Sequence, residues 1–262
     1  MKHLLPTFLL FIAFCSCLTA QNGARLTGNL QTNGNFFIRD SAIGAINTPQ
    51  YDNQKFGAES WLTLNYSNWG FDMGIRFDMF NNSNLLNPNG SYTAEGIGRW
   101  FIHKEIYGFE LTGGYIYDQI GSGILFRAYE ERALMIDNAL YGIKVGYKIN
   151  DNWKIKAFTG RQKQFLPDEE RWGTYKSVVH GGALEGFIKP DSTKNFSLAP
   201  GVGVVVRTFG DRTIDEIVNE IATYTPQDSI GAQYNTYAAT VYNTLTAGNF
   251  TWYVEGAYKT DD

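Results

Sequence analysis

Across residues 70–79 apolar and polar side chains alternate without a break. Phe71, Met73, Ile75, Phe77 and Met79 share one face of an extended chain, and Asp72, Gly74, Arg76 and Asp78 share the other. A helix turns about 100° per residue and cannot keep these two sets apart, so this segment reads as a two-faced strand. The pattern returns at 140–149, where Tyr141, Ile143, Val145, Tyr147 and Ile149 oppose Gly142, Lys144, Gly146 and Lys148. It returns again near the end, where Phe250, Trp252, Val254 and Tyr258 oppose Thr251, Tyr253, Glu255 and Lys259. Looser copies occupy 25–38, 56–67, 99–106, 109–119, 153–162, 178–188, 196–209 and 236–245. A tilted strand needs about 9–11 residues to cross a bilayer, and most of these segments have that length.

A soluble β-sandwich alternates too, but two features favour a membrane wall. The polar face is built of Gly, Lys, Arg, Asp and Glu, which suits a wet lumen, and aromatic residues gather at strand ends, as at Tyr66, Trp69 and Phe71 or Tyr147 and Trp153. Composition agrees: 16 Tyr, 18 Phe, 6 Trp and 28 Gly accompany 18% charged residues, against about 25% in soluble domains. A formal charge of −4 offers no basic surface to nucleic acid. The expected fold class is therefore all-β, an antiparallel transmembrane β-barrel of the outer membrane. In it Phe71, Ile75, Phe77, Tyr141, Val145 and Val254 face lipid, and Asp72, Arg76, Lys144, Lys148 and Glu255 face the lumen.

Residues 1–20 read as a secretory signal: Lys2 and His3 precede an apolar run, and Leu-Thr-Ala closes it, placing cleavage near Ala20. The run falls short of the about 20 apolar residues of a spanning helix. Cys15 and Cys17 both lie in this leader, so the mature chain carries neither a disulfide framework nor a thiolate metal site. Cys17 fits a lipidation site poorly, because Phe14 stands where Leu is expected.

Residues 21–262 form the barrel strands, and their connections alternate in length. Tight ones lie at 67–69, 107–108, 150–152 and 247–248, with 189–195 slightly longer; long ones lie at 40–55, 81–98, 163–177 and 211–235. Short turns face the periplasm and long loops face outward in such barrels. This parity leaves 120–139 as an excursion that does not span, folded above the rim or into the lumen. It also gives eleven strands, an odd number, with Asp261 and Asp262 on the outer side. The expectation is an N-terminal portion of a larger barrel.

The densest polar sequence lies in that excursion. Arg127, Glu130, Glu131, Arg132 and Asp137 form a candidate ion-pair network holding an inward loop as a constriction, with residual charge selecting solutes. The alternative is a solvated loop, whose exposed pairs contribute only about 0–1 kcal/mol. Gly121 and Gly123 permit a sharp turn but lack the Lys-Ser/Thr pair of a phosphate loop. The mature chain has two histidines, His103 and His180. His103 shares a strand face with Glu105, a pairing able to activate a water or a serine, yet no G-x-S-x-G or H-E-x-x-H accompanies it. Between 211 and 224 the period changes: Ile214, Ile217, Val218 and Ile221 fall at helical spacing, with Thr213 and Glu216 as a capping box. That helix reads as a lid or docking element, or as a packed rim loop.

The segments Gly121-Ser-Gly-Ile-Leu, Arg127-Ala-Tyr-Glu-Glu-Arg and Ile136-Asp-Asn-Ala-Leu-Tyr-Gly, after a leader ending Thr-Ala-Gln, resemble an uncharacterised family of Bacteroidetes outer-membrane barrel proteins, a domain of unknown function. That likeness covers most of the mature chain and implies fold and location but no substrate. A looser likeness to alginate-export-type porins is confined to this one segment. The expected function is a porin-like channel or a secretion or assembly accessory, not an enzyme. Its partners are outer-membrane lipid and an unidentified solute or protein, and no catalytic residue, cofactor or metal is assigned. An outer-membrane hydrolase at the barrel rim and a soluble secreted β-sandwich binding protein are the alternatives.

Overall fold

The computed structural model describes residues 23–47, 52–84, 91–134, 136–163, 176–190, 195–221 and 233–260. The signal at 1–20 and its cleavage near Ala20 lie outside the described residues.

Five strands come first: β1 (Arg25–Phe36), β2 (Phe56–Asn68), β3 (Phe71–Ser83), β4 (Tyr92–Ile106) and β5 (Phe109–Ile116). Four short ones follow: β6 (Asp118–Ile120), β7 (Phe126–Ala128), β8 (Glu130–Glu131) and β9 (Ile136–Asp137). Then come β10 (Leu140–Lys148), β11 (Trp153–Gln162), β12 (Val178–Gly186), β13 (Phe196–Thr208), helix α1 (Asp211–Ile221), β14 (Asn235–Ala247) and β15 (Phe250–Lys259). The long strands form one 11-stranded sheet in the order β1-β2-β3-β4-β5-β10-β11-β12-β13-β14-β15, antiparallel throughout. β6 pairs with β7 and β8 with β9, outside this wall. A β-sandwich needs two stacked sheets; one continuous meander of next-neighbour pairs rules that alternative out. Among the described residues β1 pairs only with β2, and β15 only with β14.

The sheet's two faces carry opposite chemistry. Leu62, Phe77, Tyr141, Ile143, Val145, Val241, Trp252 and Val254 are exposed, while Glu59, Arg76 and Asp78 on the other face are no more than 4% exposed. Register puts Ile75 beside Leu64 and Trp100, and Phe77 beside Leu62, on the exposed apolar face. Contiguous apolar surface of this extent is not tolerated in water. Apolar-out and charged-in is the distribution of an outer-membrane β-barrel wall, and that is the fold class of this chain.

The short turns follow from strand twist. Trp69 and Gly70 both have positive φ (51° and 72°), as do Tyr107 and Gly108 (50° and 81°). Two such residues in a row make the hairpin loop whose twist matches right-twisted strands, with Gly at the second position free of a Cβ clash.

Three sequence boundaries move. β4 begins at Tyr92, inside the expected 81–98 loop, because the β3–β4 register shifts between Arg76 and Phe77. The extra residue, Gly98, breaks the period of two that marks a strand in sequence. The strand expected at 109–119 leaves the wall after Ile116, just beyond Gly114 with φ of 105°. In α1, Thr213 is not the cap: the helix starts at Asp211, the Thr213 amide donates to the Gly210 carbonyl, and Glu216 bonds Lys176 instead.

Candidate functional site

Between β5 and β10 the chain turns onto the charged face and crosses it. Ile120 is fully buried with Leu140, Phe158, Val179, Ala183 and Tyr242, all wall residues. Phe126 stacks on Phe158 with ring centres 4.5 Å apart. The wall makes room by omitting side chains: a Cβ on Gly203 would lie 2.3 Å from Ile120 Cγ2. At one end of the crossing the Ser122 amide donates to Glu255 of β15 (2.9 Å), and at the other Arg132 donates to Gln31 of β1 (3.0 Å). The segment thus bridges the inner face from the first wall strand to the last.

Two charge clusters fasten it. In the first, Arg76 of β3 donates to both oxygens of Asp78 (2.6 and 2.9 Å), pairs with Glu130 of β8, and lies 3.5 Å from Asp137 of β9. Lys163, following β11, donates to Asp137 (2.5 Å) and to the Gly98 carbonyl (2.6 Å), and Tyr117 donates to the other Asp137 oxygen (2.9 Å). Arg132 reaches Glu130 at 3.1 Å. Side-chain exposure is 4% for Arg76 and Asp78, 6% for Lys163 and 10% for Asp137. Charges held this dry persist only as a mutually compensated set. Gly98 is required here, since a Cβ would lie 1.8 Å from Asp78 Oδ2 and push the carboxylate off Arg76.

In the second cluster, Asp118 of β6 accepts from Lys156 (2.8 Å) and pairs with Lys144 (3.2 Å). Lys156 also donates to the Gln119 carbonyl (2.7 Å). Glu185 pairs with Lys154 (3.0 Å) and accepts from the Tyr242 hydroxyl (2.9 Å). The first cluster thus grips the β8–β9 end of the segment, and the second its β6 end.

Of the five residues singled out from sequence, Glu130 and Asp137 meet on Arg76, and Arg132 joins them through Glu130. Arg127 and Glu131 do not: both are exposed, Arg127 stacking over Tyr129 at 4.3 Å and Glu131 accepting from the Ala133 amide at 3.4 Å. Sequence reasoning placed Arg76 and Lys144 on the inner face without giving them partners. It missed Asp78, Lys163, Tyr117, Asp118, Lys156 and Glu185 as members. The available signal was Arg76 and Asp78 two residues apart on one strand face.

His103 faces inward and shares a hydrogen bond with the Thr112 hydroxyl (2.9 Å); Glu105 lies 3.7 Å away and is largely exposed. Among the described residues no group of three His, Cys, Asp or Glu is placed to hold a metal ion. α1 sits in the β13–β14 connection with Ile214 buried, and its Glu216 accepts from Lys176 at 2.5 Å. That bond, with Arg212 nearby, holds the Glu216 carboxyl below the usual carboxylate range. The pair therefore survives mild acid and is lost only as pH falls through that lowered value.

Both cysteines, Cys15 and Cys17, fall within residues 1–20, so in protein made without those residues a thiol introduced at Ser122 reports on the crossing segment alone. Glu255 also accepts from Thr240 (2.9 Å) and Tyr253 (2.6 Å). Glu255→Ala is expected to free the Gly121 corner and speed maleimide labelling of Ser122→Cys about tenfold, as loss of a charge-assisted bond implies. Unchanged labelling would show the corner is held by packing alone.

The model of the Family of unknown function (DUF6029) matches residues 1–262. The chain belongs to this family. No curated protein matches it. Among solved structures it is similar to the Pseudomonas aeruginosa outer membrane protein OpdK with vanillate, at 10% identity and a TM-score of 0.40, over 91% of this chain and 66% of that one. It is also similar to Pseudomonas aeruginosa OccK2 (OpdF) in complex with glucuronate, at 8% identity and 0.38, over 91% and 64%. Acinetobacter baumannii OccAB3 matches at 11% identity and 0.38, over 90% and 67%. The DUF6029 chain thus spans about two thirds of the length of these outer-membrane proteins.

Proposed function

We propose that this DUF6029 protein is a channel-like barrel of the outer membrane whose lumen is narrowed by the segment from Asp118 to Asp137, and that it passes small polar solutes. The observation that carries this reading is the Arg76–Asp78–Glu130–Asp137–Lys163 network, which ties the β8–β9 end of an inward-folded segment to the wall by charges, while Ile120 and Phe126 anchor its other end in an apolar cluster. An apolar plug would seal; a charged, cross-linked one leaves polar walls along which hydrated solutes travel. Arg132, Glu130 and Asp137 are the constriction residues, joined by Arg76 and Lys163. Arg127 and Glu131, exposed on the same segment, contribute charge to the path rather than to the fastening. The sequence resemblance to alginate-export-type porins, confined to this segment, points the same way.

Full-length protein in planar bilayers is expected to give small ohmic steps, and replacement of residues 121–135 by a short Gly-Ser linker is expected to enlarge them several-fold, since the segment crosses the whole inner face. A barrel silent in both forms that co-purifies with a protein partner would replace the channel by an assembly accessory.

A further inference from the structure

The lipid-facing side carries one cation that the fold does not explain. Register pairs Arg161 of β11 with Tyr141, and Thr159 with Ile143, which puts Arg161 on the face of Val145 rather than on the charged face. It is exposed, and among the described residues it makes no ion pair or hydrogen bond. Its strand ends one residue later, at the side of the long connections, so it stands at the outer-leaflet end of the wall. An Arg on the lipid face costs about 2–4 kcal/mol at the midplane and about 0–1 near the interface, so at this height a guanidinium is tolerated and its fork of donors is available to an anion.

Beside it lies an open recess lined by Trp100, Tyr141, Ile143, Thr159, Arg161 and Val178. Trp100 and Tyr141 meet edge to face, ring centres 5.9 Å apart, forming a rigid apolar wall. One step further from the strand end, level with Ile143, the Thr159 hydroxyl and His180 share a 2.8 Å hydrogen bond on the same outer face. Tyr141, Trp100 and Val178 thus stand beside Arg161 at the strand end, and the apolar face runs on from them past Ile143 to Val145. A fixed cation at the headgroup edge of an apolar face fits one kind of neighbour.

We propose that this recess seats a phosphorylated acyl amphiphile of the outer leaflet, its phosphate on Arg161 between Tyr141 and Val178 and its acyl chain running from Trp100 and Tyr141 past Ile143, Thr159 and His180. The site depends on this face meeting lipid and is independent of whether the lumen conducts.

The test uses the full chain in neutral detergent micelles, with unfolding temperature read against added diphosphorylated lipid A, its dephosphorylated counterpart, or inorganic phosphate. Phosphorylated lipid A is expected to raise the midpoint saturably, with half-saturation about tenfold below that of the dephosphorylated form, as one charge-assisted bidentate contact gives. Inorganic phosphate should do nothing. Arg161→Leu should erase the difference between the two amphiphiles without moving the midpoint in detergent alone. Arg161→Lys, which keeps charge but not the fork, should narrow the difference and serves if the Leu variant does not fold. Equal responses to both amphiphiles, a response to inorganic phosphate alone, or a phosphate preference that survives in both variants would overturn the site.

Discussion

Arg76→Met is expected to destabilise the barrel by about 3–5 kcal/mol, the cost of breaking a buried ion-pair set by removing one partner. Three carboxylates, Asp78, Glu130 and Asp137, lie within reach of this guanidinium. Without it only Lys163 on Asp137 and the more exposed Arg132 on Glu130 compensate them, leaving Asp78 without a paired cation among the described residues. The chain can relieve that repulsion only by releasing the segment that carries Glu130 and Asp137. Two readings should therefore move together: a lower midpoint in denaturant titrations of the refolded protein, and faster labelling of a thiol introduced at Ala139, which is buried two residues after Asp137. Neutralising the stranded acids as well, by Asp78→Asn and Glu130→Gln in the Arg76→Met background, should recover part of the loss. If Arg76→Met shifts stability by no more than the about 1 kcal/mol of a surface pair, the network is solvated and the fastening of the segment has been misjudged.

The wall was legible in the sequence because each strand repeats one constraint. A residue slip of one would exchange lipid and lumen faces, so alternation must be kept wherever both faces are committed. Residues 70–79 and 140–149 keep it, and β3 and β10 fall there. It was illegible where geometry breaks the period. At Gly98 a bulge inserts one residue, and the first half of β4 looked like loop. At Gly114 the backbone turns to positive φ, and the chain leaves the sheet three residues early.

The candidate site was half legible for a different reason. Glu130, Arg132 and Asp137 stood out because local charge density is visible along the chain. Their partners did not, because Arg76 is 54 residues from Glu130 and 61 from Asp137. Asp118 meets Lys156 across 38 residues in the same way. Nothing local separates a lysine that will grip an inner segment from one that points into open water. Density also misled: Arg127 and Glu131 share the segment, but in its short strands they alternate with Ala128 and Glu130, which point the other way.

Val145→Arg and Lys144→Val change adjacent positions on opposite faces of β10 and should have unequal effects. Val145 is exposed on the apolar face, opposite Leu111 on one neighbour and Ala157 on the other. An arginine there meets hydrocarbon near the middle of a nine-residue strand, at a cost of about 2–4 kcal/mol. Lys144 looks inward, and sequence reasoning alone makes its replacement by valine harmless. The contact with Asp118 adds a cost, yet it stays small: Lys156 still holds that carboxylate at 2.8 Å, closer than the 3.2 Å of Lys144. About 1 kcal/mol is expected, the net worth of one polar contact. In an assay of folded and unfolded mobility on gels after membrane assembly, Val145→Arg should leave little of the folded band, and Lys144→Val should keep nearly all of it. Equal tolerance of the two would mean that the apolar face does not meet lipid.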